Sequence, residues 1–144
     1  MKPNSYSEVS AYNRWYLENN REQIMKNKKE LPHKTLNGRM SRLHTNSRQR
    51  AISKGWEYDL DSKFLIDLWH KQGGKCAITG QNMEITSLES RTRSLVVSLD
   101  RINNSRGYTR DNVWLTTSKV NYMRGVLSMD DFIEMCKLVL ENSK

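Results

Sequence analysis

The chain has 144 residues, a length typical of one modest domain or of a small domain with an appendage. Lys and Arg outnumber Asp and Glu by 24 to 16, which gives a formal net charge of +8. No apolar run approaches the ~18 residues of a membrane span, and two cysteines exclude a disulfide-stapled scaffold. Because no signal-peptide core opens the chain, we expect a cytoplasmic protein without a membrane partner.

The positive charge is concentrated in one part of the chain. Residues 1–55 hold 12 Lys or Arg and 4 acids, whereas residues 56–144 hold 12 of each. Such an excess usually indicates an anionic partner, most often nucleic acid. The alternative is a basic arm that only improves solubility.

Three helices are predicted in the first half, over residues 7–31, 35–54 and 61–72. The second has a stripe of apolar and small residues at helical spacing and a natural C-cap at Gly55. Its remaining positions carry cations that either form a solvated face or contact phosphates. These cations include Arg39, Arg42, Arg48 and Arg50.

The second half mixes strands and helices. Over 75–82 we expect a short strand that leads into a turn. We also expect a β-rich run over 95–99 that ends at Asp100, a strand over 113–115 and a short helix over 117–124. A last helix begins at the N-cap Ser128. Its apolar period predicts a face that packs in the core: Phe132, Ile133, Cys136, Val139 and Leu140.

Three polar residues lie near the ends of the elements in the strand–loop–strand–helix segment 94–125. Asp100 lies at the exit of the first strand, Asn112 just before the second, and Asn121 on the short helix. A carboxylate and an amide oxygen offer two hard ligands to Mg²⁺, which keeps several waters and takes phosphate oxygens from its substrate. The alternative is ordinary turn chemistry, since Asp and Asn are common loop residues.

The run SLDRINNSRGYTRDNVWLTTSKVNYMRG, residues 98–125, resembles the HNH endonuclease motif, especially that of small phage-type members. GGKCAITGQNM upstream and LSMDDFIEMCKLV downstream resemble segments that flank the motif in the same group. The resemblance covers about residues 46–140. It implies an α+β fold with a ββα-metal core over about 94–125, packed with helices and preceded by a basic helical extension.

The resemblance also implies roles for individual residues. Asp100 and Asn121 match the two ligands of one divalent metal, Mg²⁺ or Mn²⁺, and Asn112 matches the residue that holds the loop and orients the catalytic group. Arg106, Lys119 and Arg124 flank the site, where the family contacts DNA. Accordingly, we expect a DNA-binding extension over residues 1–55 and a nuclease domain over 56–144.

One position departs from the family pattern. Arg101 stands where the family has its general-base histidine, and arginine cannot act as a base at neutral pH, although it can clamp a phosphate oxygen. Three explanations stay open: His70 or His44 supplies the base, the metal activates water directly, or the site is degenerate. Cys76 lacks the partner cysteines of a zinc site, since Thr79 follows it, so we predict no structural zinc.

The leading expectation is a metal-dependent endonuclease that nicks or cuts double-stranded DNA, encoded by a phage and active in the host cytoplasm. The alternative is a degenerate member of the family that binds nucleic acid without cutting it. A third hypothesis makes the first helix an oligomerisation element through Tyr12, Trp15 and Tyr16. The sequence leaves monomer and homodimer both open.

Overall fold

The computed structural model describes residues 6–22, 34–86 and 95–143, and the side chains from residue 11 onward in the first of these ranges. The chain divides into two compact units, residues 1–32 and 33–144. The helix predicted over 35–54 therefore belongs to the same unit as the strands, whereas the predicted boundary at residue 55 would group it with the basic extension. No helix in the described ranges is long and apolar enough to cross a membrane.

The first unit contains helix α1, Tyr6–Asn19. It begins one residue before the predicted position, and the part of the predicted helix beyond residue 22 lies outside the described residues. Tyr12, Trp15 and Tyr16 are about half exposed on it. The Tyr12 ring centroid lies 6.0 Å from that of Trp15 and 6.3 Å from that of Tyr16.

The second unit begins with helix α2, Leu36–Lys54, whose two ends have the caps that its sequence provides. The Thr35 hydroxyl accepts a hydrogen bond from the Gly38 N–H at 3.1 Å. Gly55 takes the left-handed conformation of the predicted C-cap, with φ 66°. The small and apolar stripe faces inward, with Met40, Ser47 and Ala51 buried.

Helix α3, Ser62–Lys71, follows its N-cap Asp61, whose carboxylate accepts from the Phe64 N–H at 2.7 Å. Its C-terminal neighbour Gln72 links this helix to the sheet. The Gln72 amide donates to the Leu115 carbonyl and accepts from the Leu115 N–H, both at 2.9 Å. The Gln72 side chain thus pairs with the backbone N–H and C=O groups of Leu115 as a neighbouring strand would.

Of the short strand and turn predicted over 75–82, the turn is present and the strand is wrong. The chain reverses within these residues and forms a single bridge between Lys75 and Asn82. The Cys76 N–H donates to the Gln81 carbonyl at 2.8 Å, and the Gly80 N–H donates to the Cys76 carbonyl at 2.9 Å. Gly80 has φ 70°, a left-handed conformation that suits the turn.

The sheet of the described residues has two antiparallel strands, β1, Val97–Arg101, and β2, Val113–Thr117. Their register places Asp100 opposite Trp114. Helix α4, Ser118–Arg124, follows β2 without a break, capped by the Thr117 hydroxyl, and packs on both strands. The buried core lies between this sheet and helices α2 to α4, consistent with the α+β class.

Helix α5, Met129–Asn142, has the predicted Ser128 cap, but its predicted packing in the core is wrong. The Ser128 hydroxyl accepts from the Asp131 N–H at 3.1 Å. No residue of α5 is buried, and Val139 and Leu140 are 59% and 66% exposed. The apolar period correctly identified a helix with one apolar side, but a period does not specify which surface covers that side.

Candidate functional site

The geometry of the candidate site is organised around the carboxylate of Asp100, which is 5% exposed near the end of β1. Its Oδ2 atom accepts from the indole Nε1 of Trp114, the residue opposite it in the sheet, at 2.8 Å. The same oxygen accepts from Nη1 of Arg124 at 2.5 Å. A buried carboxylate with two such donors is held in one orientation.

Arg124, the last residue of α4, is fully buried and does not reach the surface. Besides Asp100, its guanidinium donates to the Arg101 and Ile102 carbonyls, both at 3.0 Å. The expectation that this arginine contacts DNA is therefore wrong in this geometry. A buried charge needs a partner and hydrogen bonds, and β1 supplies both.

Asn121 lies one helical turn before Arg124 and faces the same strand. Its Nδ2 donates to the Ser98 hydroxyl at 2.8 Å and to the Leu99 carbonyl at 3.3 Å. The amide oxygen consequently points away from these acceptors. The fold thus brings Asn121 against the residues that precede Asp100, as the hairpin and helix arrangement requires.

Asn112 is 2% exposed and fixes the loop between the strands. Its Oδ1 accepts from the Asn103 N–H at 2.9 Å, and its Nδ2 donates to the carbonyls of Asn103 and Gly107 at 3.1 and 2.8 Å. A Cβ on Gly107 would lie 2.2 Å from the Glu57 carbonyl oxygen, so only glycine allows this close approach.

Arg101 also holds this loop. Its guanidinium stacks on the Trp56 ring at 3.8 Å, and its Nη1 donates to the Asn104 and Arg106 carbonyls at 3.1 and 2.8 Å. Cation–π contact and hydrogen bonds both fix the side chain. In this geometry Arg101 is directed to the loop, and neither base catalysis nor a phosphate clamp is its observed role.

Arg106 makes a two-point ion pair with Asp111 at the other end of the loop. The two hydrogen bonds measure 2.8 and 3.1 Å, and both side chains are largely exposed. The Arg106 guanidinium, helped by the Thr109 hydroxyl, lowers the pKa of Asp111 to about 2. Arg106 can still be reached from solvent, but it is already paired.

The remaining predicted nucleic-acid contacts fall into two groups. Arg39 donates to the Val97 carbonyl at 2.7 Å, and Arg50 donates to the Tyr108 hydroxyl at 2.9 Å, so both tie α2 to the fold. Arg42, Arg48 and Lys119 are exposed. Only this second group presents its cationic ends freely to a partner.

Neither candidate histidine hydrogen-bonds to Asp100 or Asn121 in the described residues. His70 is exposed and lines a cleft of about 300 Å³ with Trp69 and Asn82. His44 lies on α2 with its ring centroid 5.8 Å from that of Tyr58.

The residues at the site suit a divalent cation in the chemistry of their donors. The Asp100 carboxylate and the Asn121 amide are hard oxygen ligands of the kind that Mg²⁺ prefers. The hydrogen bonds described above involve Oδ2 of Asp100 and Nδ2 of Asn121, and none of them involves Oδ1 of these side chains. The buried Arg124 charge opposes a second cation nearby, which counts against the fit.

Cys76 is 2% exposed and packs in the core. Burial raises the pKa of its thiol, but hydrogen bonds with the Thr79 side chain and with backbone N–H groups outweigh it, so the pKa is lowered overall. Thr79 stands where a second zinc-binding cysteine would follow. Among the described residues, no three His, Cys, Asp or Glu side chains cluster as metal ligands.

Sequence reasoning missed the partner of Asp100. Arg124 was assigned to DNA because it is a cation next to the site, yet its position three residues after Asn121 places both on one helix face. That spacing was the available signal. Comparisons with protein-family models, with curated proteins and with solved structures found no match.

Proposed function

We propose that this protein is a metal-dependent DNA endonuclease of the HNH type. One observation supports the proposal: helix α4, which follows the antiparallel hairpin, bonds to β1 through two of its side chains. Arg124 hydrogen-bonds to the Asp100 carboxylate. Asn121, one turn earlier, hydrogen-bonds to Ser98 and Leu99 of the same strand. A hairpin–helix unit with these two oxygen donors is the arrangement that the motif order implies. We also propose that this hairpin–helix unit is a ββα-metal motif.

Asp100 and Asn121 would hold the ion, Mg²⁺ or Mn²⁺. When bound, the ion stabilises the charge that develops on the scissile phosphate and on the leaving oxygen. Arg124 and Trp114 orient Asp100 through Oδ2, and Asn112 holds the loop that follows. Since neither His70 nor His44 hydrogen-bonds to this pair, we infer that neither of these two histidines is the base at Asp100.

The proposed substrate is double-stranded DNA, and the proposed place of action is the cytoplasm, that of the host if a phage encodes the protein. The charge supports this assignment, since all of the net +8 lies within residues 1–55. An excess of cations binds a polyanion through the release of counterions.

The test is cleavage of supercoiled plasmid with Mg²⁺ or Mn²⁺ by the wild-type protein and by Asp100→Asn and Asn121→Ala. We expect nicked or linear product from the wild type and at least a tenfold loss in each variant. Asp130→Ala, which removes an exposed carboxylate from α5, is the matched control and should cut normally. Equal cleavage by the wild type and both site variants would overturn the proposal.

A second candidate function is DNA binding without cleavage, favoured by the buried ion pair that already neutralises Asp100. It predicts salt-sensitive binding and no metal-dependent product. Metal-dependent nicking that disappears in Asp100→Asn would exclude it.

A further inference from the structure

Helix α2 carries most of the net positive charge of the second unit. Its 19 residues contain five cations and no acid, whereas residues 56–144 are balanced. Its inner side is packed through Met40, Ser47 and Ala51. The charge therefore sits on a helix that the core fixes in place, which differs from a mobile basic arm.

Two of these arginines anchor the helix along one edge. Arg39 donates to Val97 in β1, and Arg50 donates to the Tyr108 hydroxyl beside the loop. Both bonds cross 58 positions of sequence and lie between the helix and the elements that build the candidate site. Their effect is to hold α2 in a set orientation relative to β1.

The outward stripe of α2 has a different composition. Arg42, Thr45, Gln49 and Ile52 are exposed and recur at intervals of three or four residues, so they share one face. Ile52 is 72% exposed. Arg reads guanine, Gln reads adenine, and apolar groups contact the thymine methyl in the major groove.

We propose that this stripe of α2 docks in the major groove of B-form DNA. Arg42 and Gln49 contact base edges there, and Arg48 at the flank of the stripe contacts a phosphate. The inference rests on DNA being the partner in the proposed function, and it adds the element that recognises it. The helix carries no acidic residue, so its charge complements the phosphates on both sides of the groove.

The dimensions agree with this partner. A 19-residue helix is about 28 Å long, and the B-form major groove is ~12 Å wide and admits an α-helix. The major groove of duplex RNA is too deep and narrow for such a reading. The stripe thus favours duplex DNA.

The test selects binding sites from a random 20-base-pair duplex pool with the full chain in EDTA, then measures affinity by fluorescence anisotropy. We expect one enriched sequence. Arg42→Ala and Gln49→Ala should each lose about 5- to 100-fold in affinity for it and relax preference at their own positions. Arg48→Ala should weaken all sequences alike and lower the salt slope by about 0.9.

Lys137→Ala removes an exposed cation from α5 and is the matched control, with unchanged binding expected. The proposal is overturned if the wild type enriches no sequence, if Arg42→Ala and Gln49→Ala bind like the wild type, or if duplex RNA of the same sequence binds equally. EDTA separates this result from cleavage. If the wild type cuts plasmid and the α2 variants bind DNA as the wild type does, the nuclease proposal stands and the proposal for α2 is overturned.

Discussion

One arginine–aspartate pair lies where β1 meets the loop between the strands, and a second lies within that loop. The two pairs differ in their exposure to solvent. Asp100 and Arg124 are 24 residues apart in sequence, and their side chains are 5% and 0% exposed. Arg106 and Asp111 are five residues apart and are 43% and 67% exposed. The same two residue types therefore do different work at the two ends of one loop.

The two pairs differ in strength because one is exposed to water and the other is not. Water screens the attraction between Arg106 and Asp111, so the main effect of this pair is on the protonation of Asp111. The buried pair is costly to disrupt, because removal of one partner leaves the other as an unpaired charge out of water. The buried pair thus joins α4 to β1 at the candidate site, while the exposed pair shapes the loop surface.

The largest expected effect is from breaking the buried pair. Arg124→Met should lower the free energy of unfolding by about 3–5 kcal/mol, since Asp100 then stays buried without its cation. Urea denaturation at pH 7 measures this loss. Arg106→Gln, which breaks the exposed pair, is the control and should change stability far less.

A double variant separates the charge from the packing. Asp100→Leu combined with Arg124→Met removes both buried charges and should recover most of the stability that Arg124→Met alone loses. The contrast between the buried and the exposed pair fails if the free energy of unfolding of Arg124→Met lies within about 1 kcal/mol of that of the wild type. The burial of an unpaired charge would then have no measurable cost.

A smaller effect is expected at the residue that holds the loop between the two pairs. Asn112→Ala removes three hydrogen bonds and leaves the Asn103 N–H and the Gly107 carbonyl without that partner, so we expect a loss of about 2–3 kcal/mol. Asn104→Ala removes only long contacts, at 3.4 and 3.5 Å, from the same loop and is the matched control. Equal stability of the two variants would show that Asn112 does not fix the loop.

Local signals in the sequence predicted much of the fold. Thr35 to Gly55 delimit α2, and Asp61 and Ser128 begin their helices, because a cap depends on a few neighbouring residues. Over 75–82 the predicted turn is present and the predicted strand is absent. A short apolar run before a turn looks extended in the sequence, but here the turn already begins within that run.

The candidate site was only partly predictable. Position in the motif indicated Asp100, Asn112 and Asn121, and the structure shows the contacts that each makes. Burial was the information that sequence lacked. Arg124 and Arg39 look like surface cations in a basic protein, and only the tertiary fold shows that β1 takes up their hydrogen bonds.

The smallest expected effect concerns the pH response of the exposed pair. The folded pKa of Asp111 is about 2, lowered mainly by Arg106 and further by Thr109. An unperturbed aspartate titrates near 3.8, so the pair stabilises the fold above that pH and loses this contribution as the pH falls towards 2.

Arg106→Gln should raise the Asp111 pKa towards 3.8, as measured by NMR titration of its carboxyl carbon. Lys63→Gln breaks the exposed Lys63–Asp67 ion pair on α3 and should leave the Asp111 pKa unchanged. An Asp111 pKa that stays near 2 in Arg106→Gln would assign the shift to Thr109 and weaken the contrast between the two pairs.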